Sequence, residues 1–576
     1  MSWRHKSYDE LPALAVRRGQ LRQSLRVVTV AWMYGVVWAT FIGGDQMRSF
    51  CVMLGFNDRE FGLMGAIPYL ATLGQLAAAV LVERSGLRKY QFVDCTTLHR
   101  LLWLVIAIIP LVSLPRQVAV NLVLVVMLAS HLLASMGGPA WWTWMSDLIP
   151  KKIRGRYFAN RTRIATFISI VFVVVMSVIL DKVSISGRPE TQVAQPMLMW
   201  TICAMLILST LCGVMDILLF RRIREVLPPI HSDQPARPSA AMFYVARPFT
   251  QTVGGYANYL WRWMGEAGRQ LLVDPLKNRV FRNYALYGAT ITFSMTVSTW
   301  YYWRTSTEWL GFSKLGSNVL FLGIGPLAGI LTTSLWGKLI DTWGRKPVLS
   351  VATILTMASV VPWLIATRET PAPTFIAAAL GWASSVMGGW LGNPQFHLMR
   401  EGAPVGAFLC GALGCILGGT AWTGVNLAQT SVMLGFGDGE GRSKFVAASA
   451  VIISIGGTLG GVIGGDIAQR LGSLQHAPLH LGPLVWCNWH ITILAALVFR
   501  VVSLFWLHGM PDPGARPVME LLRYVGANAY NAVFNKIFYP LRVFGWSRHE
   551  DEADEPARPP RRRKELTGSD GSRKHR

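Results

Sequence analysis

Charge is scarce in this chain. Asp, Glu, Lys and Arg make up 15% of its 576 residues, where a soluble protein carries about 25%. So little polar surface could not face water on all sides. Cysteine is also sparse. Cys51, Cys95, Cys203, Cys212, Cys410, Cys415 and Cys487 are scattered and form no C-x-x-C. That excludes a disulfide-stapled secreted module and gives metal or redox chemistry no supporting spacing. Acid is the scarcer charge, 31 Asp plus Glu against 55 Lys plus Arg, for a net +24. A soluble protein with this excess would point to nucleic acid. Here the basic residues lie between apolar runs, so the expected partners are membrane lipids of an anionic leaflet and no nucleic acid. Enzyme motifs are missing too: G-x-x-x-x-G-K-S/T, H-E-x-x-H and G-x-S-x-G do not occur. ATP is therefore not the expected fuel, and no catalytic residue, cofactor or metal is assigned. What is plentiful is apolar residue, 52% of the chain, with a mean hydropathy of +0.36. That excludes disorder and leaves an integral membrane protein.

Runs of the length needed to cross a bilayer core, about 20 residues, fall at 26–45, 61–82, 96–114, 118–140, 164–184 and 196–220. A second set falls at 282–303, 316–337, 347–367, 405–432, 445–466 and 485–508. The fold class is thus all-α and polytopic, about 12 transmembrane helices in two bundles. The expected division is a terminus 1–25, a bundle 26–220, a linker 221–281, a bundle 282–508 and a basic tail 509–576. Arg17, Arg18, Arg22 and Arg26 precede the first span, Arg84, Arg88 and Lys89 follow the second, and Lys151, Lys152, Arg154, Arg156, Arg161 and Arg163 follow the fourth. The alternate loops are poorer in Lys and Arg, so both termini are expected to be cytoplasmic, in a plasma or inner membrane. No cleavable signal peptide is evident. Residues 372–391 are apolar enough for another helix. One extra crossing would invert every later loop, so 368–404 is read as an outer-face insertion, re-entrant or a short hairpin.

The halves echo each other. Glu83 stands three residues before Gly86, with Arg88 and Lys89 behind; Asp341 stands three before Gly344, with Arg345 and Lys346 behind. Independently, Gly137-Gly138-Pro139-Ala140-Trp141 is matched by Gly418-Gly419-Thr420-Ala421-Trp422. Such parallel repeats are one signature of secondary transporters.

Segment 337–349, with Gly337, Leu339, Asp341, Gly344, Arg345, Lys346 and Leu349, resembles the cytoplasmic-loop signature of the major facilitator superfamily, G-x-L-x-D-x-x-G-R-K-x-x-L. The first-half copy departs from it: Glu83 replaces the aspartate, Ala79 a glycine and Leu87 the first basic residue. The resemblance spans about 26–508 and implies two six-helix bundles around a central cavity. It also implies a conformational latch: Glu83, Arg84, Gly86 and Arg88 in one loop, Asp341, Gly344 and Arg345 in the other. Glu83 would approach Arg442 and Ser443, and Asp341 would approach the start of the fifth span, where Arg156, Arg161 and Arg163 lie. These contacts would join the halves and favour an outward-open state. For the basic residues, positive-inside anchoring is the plain alternative.

Ionisable groups within spans are costly and so suggest function. The substrate-cavity candidates are His131, Trp141, Asn426, Gln429, Arg500 and Asp45. Asp216 lies toward the end of the sixth span. Each has a blander reading: a helix–helix hydrogen bond for His131, a surface pair with Arg48 for Asp45, snorkelling for Arg500, and aromatic belts for Trp141, Trp142, Trp144 and Trp300 to Trp303. The glycine-rich run 455–465 fits tight helix packing better than phosphate binding. Residues 228–248 read as a flexible linker, the aromatics from Tyr256 to Met264 and the stretch 516–546 as interfacial helices, and the end from Arg548 as disordered. The expected function is alternating-access transport of a small organic solute by a monomer, with or without a coupling ion. The alternative is a non-transporting protein of the same fold, serving as assembly factor, lipid-handling scaffold or sensor.

Overall fold

A computed structural model describes residues 18–75, 88–184, 190, 193–223, 274–390, 405–434, 442–510 and 516–527. Residues 1–518 form one compact unit and 519–576 a second. Of the second, 519–527 are described and helical. The expected interfacial helix around Tyr256, and most of the expected linker and tail, lie outside the described residues.

Each of the twelve apolar runs is mostly helical over its described part, and the twelfth is entered from a short antiparallel strand pair, Leu479–Leu481 with Leu484–Trp486. The first six spans are Arg18–Ile42, Asp58–Thr72, Arg88–Ile108, Arg116–Leu148, Lys151–Val183 and Pro196–Leu219. The seventh is Arg279–Thr296 continued by Thr299–Arg304, and the eighth runs from Lys314 to Trp343 through a π-helical stretch at Val319–Ile324. Arg345–Ala358 with Val361–Ile365, Val405–Leu434, Arg442–Arg470 and Asn488–His508 complete the set. Ten of these, among the described residues, are long and apolar enough to cross a membrane. The second is described for only 15 residues, and the seventh is broken after Thr296. Large apolar side chains stand outward, Leu331 at 71% and Phe505 at 72% exposure, as a lipid-facing belt requires.

Local chemistry sets the breaks. Gly43 and Gly44 end the first span, and a short helix, Asp45–Met53, follows. Asn57 then starts the second span with a reciprocal cap. Its side chain accepts the Glu60 N–H at 2.9 Å while the Asn57 N–H donates to the Glu60 carboxylate at 2.8 Å. Gly344 separates the eighth and ninth spans at φ +97°, a left-handed conformation that favours glycine. The apolar segment 372–391 folds as one helix, Thr374–Trp390. At 1.5 Å per residue it is about 25 Å long, short of the roughly 30 Å hydrocarbon core. Residues 391–404, the rest of the expected insertion, lie outside the described set.

The sequence repeat is also a packing repeat. The first span packs on the sixth as the seventh packs on the twelfth, and the third packs on the fourth and sixth as the ninth packs on the tenth and twelfth. The halves meet most extensively where the second span packs on the eleventh and the fifth on the eighth, and the second also touches the seventh. The eleventh span supplies two glycine rows. Gly456, Gly460 and Gly464 lie against Ala289, Phe293 and Val297 of the seventh span and the turn after it, and Gly461 and Gly465 lie against the second. A Cβ on Gly461 would come within 2.7 Å of the Ala66 nitrogen and the Gly62 oxygen. The glycine run is therefore a helix-packing surface.

Gly461→Val should overpack this seam and cost about 1–3 kcal/mol, lowering the unfolding temperature of the detergent-purified protein. Gly138→Ala is the control, because a Cβ at Gly138 meets nothing within 4 Å. Equal melting of the two variants would show that the close approach is not needed.

Candidate functional site

The strongest polar constellation joins the halves at one membrane face. That face, here called distal, carries the connections after the first, fifth, seventh and eleventh spans. The opposite, terminal face carries the turn at Gly344 and the end of the twelfth span, where Lys346 donates to the His508 carbonyl.

Arg48, 1% exposed, is the hub. It meets Asp45 at 2.5 Å, Glu190 at 2.9 Å and Glu308 at 3.0 Å. Lys314, 4% exposed, pairs with Glu190 and lies 3.8 Å from Asp45. Arg304 pairs with Asp58 and, at 2.8 Å, with Glu308. Asp45, Arg48, Asp58 and Glu190 belong to the first half; Arg304, Glu308 and Lys314 to the second. Arg48–Glu308, Lys314–Glu190, Lys314–Asp45 and Arg304–Asp58 cross from one half to the other.

Neutral donors absorb the excess carboxylate. Asp181 accepts the Lys314 and Leu315 N–H groups, each at 2.9 Å. These N–H groups open a helix and so have no partner within it, and the positive dipole end there favours an anion. Asp58 accepts from Asn488 at 2.8 Å, Trp489 at 3.0 Å and Gln475 at 3.1 Å, and its carbonyl accepts the Tyr301 hydroxyl at 2.9 Å. Asn318 donates to Ser177 at 2.8 Å and Gln46 at 3.2 Å while accepting the Asp45 N–H at 3.0 Å. Burial alone would raise the Glu190 carboxyl, but Arg48 and Lys314 outweigh it and hold it below the usual carboxylate range. A carboxylate shifted this way contributes stability above its ordinary pKa and loses it only as pH falls through the depressed value.

Sequence reasoning named Asp45 as a cavity candidate, with a surface pair to Arg48 as the blander reading; the two do pair, but the pair is buried. It passed over Asp58, Asp181, Glu190, Arg304, Glu308 and Lys314. These lie at span ends, where charge ordinarily reads as solvated. One signal was present: Arg48, Arg304 and Lys314 stand on the face expected to be poor in basic residues.

The terminal face is arranged differently. Asp341 and Arg345 are exposed, and among the described residues Asp341 has no ion-pair partner. Arg161 stacks over Trp32 at 4.7 Å and Trp141 at 5.1 Å. Arg88 is buried. Glu83, Arg84 and Gly86 lie outside the described residues, as do the side chains of Arg156 and Arg442.

The cavity candidates disperse. His131 Nδ1 lies 2.9 Å from the Met127 carbonyl of its own helix, and its ring packs 6.1 Å from His99. Trp141 packs on Trp142, their ring centres 4.8 Å apart. Asn426 is exposed, and the Gln429 carbonyl accepts the Tyr284 hydroxyl at 3.2 Å. The third span holds two buried groups that sequence reasoning passed over, His99 and Arg100. Arg100 lies 3.4 Å over Trp38 and 3.5 Å from Asp216, tying the third span to the first and sixth. Arg500 does not snorkel. It is 3% exposed and lines a chamber of about 410 Å³ with Tyr302, Phe321, Trp363 and Trp422.

A family model described as Major Facilitator Superfamily matches residues 27–419. No curated protein matches the chain. Among solved structures, the inward-open conformation of the xylose transporter XylE from E. coli is similar, with a TM-score of 0.53 and 12% identity over 88% of this chain and 99% of that one. A D-xylose–proton symporter is similar at a TM-score of 0.51 and 13% identity, over 85% and 98%. A variant of the nucleoside transporter NupG reaches 0.50 and 12%, over 85% and 99%. At these identities the likeness is one of fold.

Arg48→Gln removes the cation shared by Asp45, Glu190 and Glu308. Breaking a buried ion pair from one side costs about 3–5 kcal/mol. In a background that keeps only Cys51, which is buried near this cluster, the substitution should lower the unfolding temperature and speed maleimide labelling. Unchanged melting and labelling together would show that Arg48 does not hold the halves together at this face.

Proposed function

The chain belongs to the Major Facilitator Superfamily, a multi-pass membrane protein with the fold of transporters, and from that premise we propose alternating-access transport of a small organic solute. The two bundles rock about a site between them near the midplane, and no catalytic step is involved. The termini and the Gly344 turn face the cytoplasm, following the basic residues. The distal face is then the outer face, and the charge cluster around Arg48 is its gate. The single observation that carries this reading is that cluster: it joins the halves at one face, while Asp341 on the other face is exposed. A two-state device needs that asymmetry. The described arrangement corresponds to a gate shut outside.

In the opposite state, Asp341 and Arg345 join Arg161 across the terminal face, with Glu83, Arg84, Gly86, Arg88 and Gly344 shaping the two turns and Arg156 and Arg442 as further basic partners. Both latches close in alternation, so neither needs to be closed permanently. The proposal places the protein as a monomer in a plasma or inner membrane.

Thermal unfolding of the purified protein across a solute library, followed by counterflow in proteoliposomes with each hit, tests the reading. A solute at 100 times its dissociation constant should add about 2.7 kcal/mol to stability. Counterflow with such a solute supports transport. Hits without counterflow, or a shift with lipid alone, would favour the non-transporting alternative. Asp341→Asn should weaken the terminal latch and slow exchange while leaving solute binding in place; an unchanged rate would sink the latch.

A further inference from the structure

Three buried arginines of this protein come with carboxylates. Arg48 has Asp45 at 2.5 Å, Arg100 has Asp216 at 3.5 Å, and Arg304 has Glu308 at 2.8 Å. Arg500 breaks the pattern. Its Nη1 donates to the Thr356 carbonyl and, at 3.4 Å, to Ser359 Oγ; its guanidinium lies 5.5 Å over the Trp422 ring, and the Tyr302 hydroxyl interacts with it. All of these partners are neutral. Its Nε is buried with no hydrogen-bond partner. Among the described residues, no carboxylate pairs with it. A guanidinium that is 3% exposed and lacks a counter-ion is costly unless something anionic joins it.

The space beside it suits such a guest. The chamber of about 410 Å³ falls within the range of small-molecule sites, about 300–1,000 Å³. Its aromatic walls are Tyr302, Phe321, Trp363 and Trp422, and Gly414 and Gly418 leave it open where side chains would intrude. An apolar body against those rings, with its anionic end at Arg500, would supply the missing charge and engage a fork that matches carboxylate geometry.

We propose that this chamber is a binding site for an organic carboxylate with an aromatic or aliphatic body. All its lining residues lie between Tyr302 and Arg500. The site therefore sits inside the second half rather than between the halves, and the inference goes beyond the transport reading. Binding at equilibrium needs no flux, so this proposal and the transport proposal fail separately.

The test uses the full-length protein, delipidated in neutral detergent. Its unfolding temperature is followed against 4-phenylbutyrate, 4-phenylbutanol, 4-phenylbutylamine and oleate. Stabilisation by 4-phenylbutyrate but not by the alcohol or amine is the expected result and assigns a water-soluble carboxylate. Stabilisation by oleate alone assigns a lipid-derived one. No shift with either carboxylate, or equal shifts with the alcohol, overturns the site. Arg500→Gln should weaken carboxylate binding about 10- to 100-fold, the range for hydrogen bonds to a charged group. Should that variant not fold, Gly418→Leu fills the chamber without replacing the guanidinium. A Cβ there meets Ser359 at 3.7 Å, an ordinary contact. Loss of the carboxylate-specific shift in Gly418→Leu supports the site; full affinity in it overturns the assignment.

Discussion

The cost of burying charge governs the way the two halves meet. Arg48 and Lys314 are almost wholly withdrawn from solvent at the distal face. Arg48 is tolerable there because carboxylates from both halves surround it, and Lys314, from the second half, because Glu190 and Asp45 of the first half do. Separating the halves would strip those pairs but return the groups to water, which solvates them well. A buried ion pair is close to break-even against hydration. That balance distinguishes a gate from a weld. An apolar interface of the same size would adhere more strongly and open less readily, because its separation gains nothing from water.

The glycine rows of the eleventh span add the mechanical counterpart. One row, Gly456, Gly460 and Gly464, holds the eleventh span against the seventh, and Gly461 and Gly465 bring the second to backbone distance. Small residues let helices approach closely without interlocking side chains, so the seam between halves is tight and smooth at once. The charge cluster sits at its distal end, where Asp58, at the start of the second span, meets Arg304, Asn488 and Trp489. Electrostatics and packing therefore act on the same pair of elements. The terminal face has no comparable cluster among the described residues, and its Asp341 is exposed.

Much of the fold was legible in the sequence. The apolar runs, the turn motif at Asp341 and Gly344, and the glycine run at 455–465 all depend on patterns a few residues to a few tens of residues long. The twist at Gly344, φ +97°, follows from a local motif in the same way. The candidate site was less legible. His131 reads as a cavity group because it is polar and lies within a span, yet a hydrogen bond to its own helix satisfies the same description. Glu190 and Glu308, by contrast, gave no local signal and are paired with the buried Arg48.

The sequence by itself determined where the chain crosses the membrane and that it does so in two related sets. Apolar length and period are local properties, and the bilayer tests each span separately. Only the tertiary structure decided which charges face one another. Asp58 and Arg304 are separated by 246 residues and Arg48 and Glu308 by 260, and no local pattern links them. Whether a cation is a solvated anchor, a latch or an unpaired host for an anion depends on its neighbours in space. Arg345 on the surface, Arg48 among carboxylates of both halves and Arg500 beside its chamber are the same residue type in three electrostatic settings.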